Sequence, residues 1–189
     1  MNRIVLIIII FFVFTDNLYA KPSVSTSTRH YSVDGLTENE IRNDLNDKRP
    51  IHESGKRYDG YTQWFVNWNF WWDESGGTCE ISRVTTKVKV KLTLPKLKQN
   101  RARTDAVTKK WKKYEKALIA HENGHKSHGI KAANVIEKNI MNMKERKSCK
   151  ELESEANRIA EDILKKYSNV DIEYDRKTKH GMNEGAVFP

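Results

Sequence analysis

The chain has 189 residues, 38% of them hydrophobic and 31% charged, with a formal net charge of +9 and two cysteines. That is enough for one hydrophobic core and too little for two, so a single domain is expected, and the composition offers no cofactor other than a metal. The excess positive charge reads first as plain solubility of Lys-rich helix faces; in an exported chain it would otherwise meet anionic cell-envelope surfaces, either lipid headgroups or wall polymers, or acidic protein surfaces before nucleic acid, which is not an expected partner, and charge alone names no reaction.

Asn2 and Arg3 precede an unbroken apolar run from Ile4 to Phe14, too short to cross a bilayer as a settled helix. Polar Thr15, Asp16 and Asn17 follow, then a small residue at Ala20. This is the pattern of a secretory signal peptide over residues 1–20, or of an anchor if it is left uncut, and either places the remainder in the periplasm or outside the cell. Residues 21–28 are polar and low in complexity and read as a flexible leader, with the domain spanning 29–189.

Arg29 to Val33 can form a short strand, Asp34-Gly35 a turn, and Thr37 with Glu40 a capping box that starts a helix to about Asp47. From Tyr58 to Trp72 the residues alternate, with Trp64, Val66, Trp68, Phe70 and Trp72 on one side and Asn67 and Asn69 between them. A turn at Asp73 to Gly77 leads to a second alternating run, Val84 to Leu94, whose other face carries Lys87, Lys89 and Lys91. The two runs predict a long antiparallel hairpin stopped at Pro95. Aromatics beside lysines can form a platform for single-stranded nucleic acid or glycan, but here they point to opposite faces. The aromatic side is therefore expected to meet the helices, and the lysines to face water and discourage edge pairing.

Residues 106–147 have a helical pattern, and Ser148 with Glu151 forms a second capping box that predicts another helix to about Tyr167. The expected architecture is thus α+β, an antiparallel sheet against a long helix and a second C-terminal helix. Cys79 and Cys149, an even pair in an oxidising compartment, are expected to form a disulfide closing a loop of about 70 residues.

The chemistry concentrates in the long helix. His121 and His125 are four residues apart with Glu122 beside the first, a His-Glu-x-x-His pattern continuing the stripe of Trp111, Tyr114, Ala117 and Leu118. Residues i and i+4 share a helix face, so two neutral imidazoles can hold one Zn²⁺ while Glu122 acts as general base. Gly124 inside the helix costs about 1 kcal/mol relative to Ala and would let another segment approach closely.

A third ligand must come from elsewhere. If the helix is straight, His125 lies about 35 Å before the break at Ser148, and a returning helix reaches that level only near residue 171. The donors beyond that point are His180, placed first, and Asp175 and Glu173. His128 needs an unwound turn to join His121, and Glu155 needs a bent helix. Tyr61 and Tyr174 are candidate donors to an oxyanion.

The ordered set of residues resembles a bacterial family of predicted secreted zinc-dependent proteases, also called domain of unknown function 922. The similarity runs through Tyr31, Val33 and Gly35, Tyr61-Thr62 with Trp64, Cys79, Leu94-Pro95, Trp111, Tyr114, Ala117-Leu118, His121-Glu122 and His125. It continues through Cys149, Tyr174-Asp175, Thr178, His180-Gly181, Gly185-Ala186 and Pro189. The resemblance implies a metallopeptidase acting on protein or peptide, with the third ligand to be sought around His180, and His128 outside the pattern. A zinc-dependent amidase for cell-wall or other non-protein substrates and a non-catalytic exported binding module are the alternatives.

Overall fold

A computed structural model describes residues 21–50 and 55–189; the expected signal peptide lies outside the described residues. The elements in order are β1 (Ser23–Val33), α1 (Glu38–Lys48), β2 (Tyr61–Ser75), β3 (Thr78–Leu97), α2 (Asp105–Met141), α3 (Cys149–Thr178) and a 3₁₀ turn (Met182–Glu184). The fold is α+β, with three helices and one three-stranded sheet of order β1-β3-β2. Among the described residues no helix is long and apolar enough to cross a membrane.

β2 and β3 are antiparallel and joined through Gly76 and Gly77. Both glycines have positive φ, the conformation a two-residue hairpin turn requires. β1 runs parallel to β3, with Ser23 beside Lys87 and Val33 beside Leu97. The sheet is therefore mixed rather than antiparallel, and residues 23–28 are strand rather than flexible leader. The reason is that β1 is exposed along nearly its whole length and is held by its backbone ladder to β3. Its Ser-Thr alternation buries no apolar face, so hydrophobic periodicity had nothing to register. β3 also runs through Pro95 to Leu97, and it is the central strand.

The core lies between the sheet and the two long helices, with Val84, Val88 and Val90 of β3 meeting Ala132 and Ile136 of α2 and Leu152 and Ala156 of α3. Two indoles of β2 reach α3 with their N–H groups satisfied, Trp64 Nε1 donating to Asp171 Oδ2 and Trp68 Nε1 to Asn157 Oδ1 at 2.9 Å. Gly129 of α2 lies under Trp64, where a Cβ would come within 2.7 Å of the indole.

α2 stops at Met141, short of the expected Lys147, because the connection is drawn to the sheet. Cys79 N–H donates to Arg146 O at 2.7 Å and Arg146 N–H to Cys79 O at 2.9 Å. Beside this pair Cys79 is disulfide-bonded to Cys149, the first residue of α3, with Cα atoms 5.2 Å apart. Ser148 caps α3, its hydroxyl accepting from Glu151 N–H at 3.4 Å. The helix then continues to Thr178, well past the expected end near Tyr167.

Candidate metal centre

The residues of the His-Glu-x-x-His pattern are buried on the face of α2 that meets α3 and β2. α3 returns antiparallel, so that Asp171 meets His125 and Asp175 meets both histidines, at the level where a straight returning helix was expected to arrive. Asp171 and Asp175 are four residues apart and share one face of α3. That face is polar because it meets donors rather than apolar side chains, which is why the hydrophobic pattern fades after Tyr167 although the helix does not.

His121 Nε2 and His125 Nε2 each lie 3.1 Å from Asp175 Oδ1. On their other sides the rings are held by carboxylates, His121 Nδ1 by Glu184 Oε2 at 2.9 Å and His125 Nδ1 by Asp171 Oδ1 at 3.0 Å. An ionised carboxylate only accepts, so each Nδ1 carries the hydrogen and each neutral ring presents an Nε2 lone pair toward Asp175, itself an acceptor. Three lone pairs facing one another in a mostly buried site are satisfied either by a second proton on each ring or by one cation between them. Carboxylates on the far nitrogens are also the usual outer support of metal-bound histidines. The donor set thus fits a zinc ion.

The electrostatics suit either way of placing positive charge there. Burial pulls the His125 imidazole down, but hydrogen bonds to Asp171 and Asp175 outweigh it and push it up to about 10. Burial opposes ionisation of Asp175, yet its contacts to His121 and His125 hold it well below the usual carboxylate range. The site therefore favours positive charge among these three side chains.

Glu122 lines the same cleft as the histidine pair and is hydrogen-bonded to the neighbouring strand. Thr62 Oγ1 donates to Glu122 Oε2 at 2.6 Å, and burial raises the carboxyl above its ordinary value against that hydrogen bond and the nearby rings. Gly60 leaves room for the other oxygen, since a Cβ there would lie 2.5 Å from Glu122 Oε1. Above His121 the Tyr174 ring stacks at 4.8 Å between centroids, its hydroxyl 3.2 Å from both Glu184 oxygens. That hydroxyl is committed to Glu184. Tyr61 lines the cleft in front of the site, about 860 Å³ in volume, together with Tyr58 and His180.

The other candidates fall at graded distances from this centre. His180 Nδ1 lies 3.4 Å from Asp175 Oδ1, but the side chain is 43% exposed, packs against Tyr58 with the rings tilted by 33°, and stands outside the mutually close trio of His121, His125 and Asp175. His128 shares Asp171 with His125. Glu173 is tied to Arg176 and Lys177 on the exposed side of α3, and Glu155 to Arg146 beside the disulfide. Asp171 and Glu184 are site residues that sequence reasoning missed, and Thr62 is named there only as part of the resemblance, without a role. Of the two missed residues only Asp171 left a trace, its four-residue spacing to Asp175.

The family model described as bacterial protein of unknown function, DUF922, matches residues 28–181. The chain belongs to this family. No curated protein and no solved structure matches it. The DUF922 match takes in the three converging donors together with Glu122, Thr62 and Asp171, and ends at Gly181, before Glu184.

Proposed function

We propose that this DUF922 protein is an exported zinc-dependent metallopeptidase. The observation that carries the reading is the convergence of His121 Nε2 and His125 Nε2 on Asp175 Oδ1, 3.1 Å from each, with a buried glutamate next in sequence to the first histidine. His121, His125 and Asp175 would hold the ion. Zinc bound there would act as a Lewis acid, acidifying water and polarising a substrate carbonyl.

The protein's own groups supply the rest. Asp171 and Glu184 fix the tautomer and direction of the two rings. Glu122, its carboxyl raised by burial and one oxygen fixed by Thr62, accepts the proton of the attacking water and passes it to the leaving amine. His180, on the cleft wall beside Tyr58, contacts substrate rather than the ion in this reading. The disulfide supports function in an oxidising compartment, in keeping with the apolar N-terminal segment.

Arg42, Arg49 and Arg57 line the same cleft, and because Asp59 offsets only part of their charge they favour a second reading, a zinc amidase acting on anionic wall material. Mass spectrometry of the products from protein, wall-peptide and ester substrates separates the two. The decisive variant is Glu122→Gln, for which we expect retained zinc and at least a hundredfold loss of turnover, the scale of general-base catalysis. Zinc content and hydrolysis both indifferent to this change would instead describe a binding module.

A further inference from the structure

The sheet has a second face, turned away from α2 and α3. On β3 it carries Arg83, Lys87, Lys89 and Lys91, all exposed and at alternate positions, so successive lysines stand about 6.8 Å apart. Lys87 is flanked by Asn67 and Ser23, Lys89 by Phe65 and Ser25, and Lys91 by Gln63 and Ser27. Ser25 and Ser27 fold their hydroxyls back onto the Val88 and Val90 carbonyls, at 3.5 and 3.4 Å, which leaves the cations standing above low neighbours. Arg29, exposed beside Thr93, extends the row.

No residue of 23–33, 61–71 or 83–93 is acidic, although the chain contains 25 Asp and Glu. Several cations on the helices have acidic partners, as in Lys48 with Asp44, Arg158 with Asp162 and Arg176 with Glu173, and the helices intersperse both signs of charge. Among the described residues none of the five on the sheet has an ion-pair partner. Edge protection does not account for them, because β3 is the central strand and needs none. Self-repelling charge with no local counter-charge calls for an external one.

The geometry points to this face as a docking surface for a bilayer rich in anionic phospholipid headgroups. The three-stranded face presents its charge in one row, on the side of the sheet away from the helices. Along its β2 margin Phe65 and Trp71 are 44% and 41% exposed, with Lys91 and Arg83 over their rings. Aromatic rings beside basic residues suit the headgroup region, where an apolar body meets water and phosphate. This inference is independent of the metal centre.

The test is co-sedimentation of the protein, recovered after export, with vesicles of phosphatidylcholine alone or containing phosphatidylglycerol. Binding is expected only to the anionic vesicles and is expected to be reversed by high salt. The triple variant Lys87→Gln, Lys89→Gln, Lys91→Gln should bind about a hundredfold more weakly, at the usual contribution per basic residue near a charged membrane. A control triple on α3, Lys150→Gln, Lys165→Gln, Lys166→Gln, removes the same charge and should bind as the parent does, circular dichroism confirming that both variants fold. Equal losses in the two triples, no difference between vesicle types, or binding to soluble polyphosphate but not to vesicles would overturn the proposal.

Discussion

Gly124 of α2 lies directly beneath Tyr174 of α3, so close that a Cβ would fall 2.6 Å from the tyrosine oxygen and 2.7 Å from the ring carbons. The glycine weakens the helix locally but lets α3 approach near enough for Asp175 to reach both histidines. Gly124→Ala should therefore separate two quantities that usually move together. Helix propensity improves by about 1 kcal/mol, while the Tyr174 ring is pushed outward and Asp175 with it. We expect zinc affinity to fall at least tenfold with a melting temperature changed little, measured by metal titration and thermal unfolding on the same samples.

Asp175 and His180 compete for the role of third ligand, and their geometries predict different outcomes. Asp175→Ala removes the oxygen on which both Nε2 atoms converge and should abolish zinc retention after dialysis. His180→Ala should keep the metal and alter substrate affinity instead. Loss of zinc from the second variant with retention in the first would return the ligand role to His180.

Asp59 holds the loop before β2 to α1 and α2. It accepts two hydrogen bonds from Arg42 at 2.8 Å and one from the Tyr114 hydroxyl at 2.9 Å. Burial works against its ionisation, but Arg42 and Tyr114 prevail and hold the carboxyl below its ordinary value. A depressed carboxyl contributes stability that is complete above the unfolded value, about 3.9, and is lost as pH falls through the folded one. Asp59→Ala should cost about 2–3 kcal/mol at neutral pH, allowing for the partial exposure of Arg42. In urea unfolding the gap between parent and variant should narrow below about pH 4; a constant gap down to pH 3 would remove the electrostatic explanation.

Cys79–Cys149 closes a loop with a sequence separation of 70, worth about 4 kcal/mol by loop entropy. Asp175 lies 26 residues along α3 from Cys149, about 39 Å away. Replacing both cysteines with serine should lower stability by that order, while zinc affinity and turnover, measured well below the new unfolding temperature, remain those of the parent.

Much of the fold is written in local chemistry. Thr37 with Glu40 and Ser148 with Glu151 mark helix starts that the structure places at Glu38 and Cys149. The alternation of β2 and β3 reveals their two faces, and the four-residue spacing of His121 and His125 puts both rings on one side of α2. What the sequence conceals is structure that buries no apolar surface. β1 is held mostly by its backbone ladder to β3, and the last turns of α3 present Asp171 and Asp175 where a core helix would present Leu or Val. The outer support from Glu184 is hidden for a different reason: it depends on a turn between Gly181 and Gly185, both with positive φ, that returns the chain to His121. Spacing cannot reveal a contact between residues brought together only by that reversal.

α3 is fastened near each tip by a different chemistry, a cystine beside the sheet at one end and a knot of carboxylates and imidazoles at the other. The first clasp closes only under oxidising conditions, and in the proposed reading the second is completed by a metal. A newly made chain still in reducing surroundings lacks the first clasp, and because that cystine stands about 39 Å along the helix from Asp175, the end that carries the imidazoles is left to hold its shape by its own polar contacts.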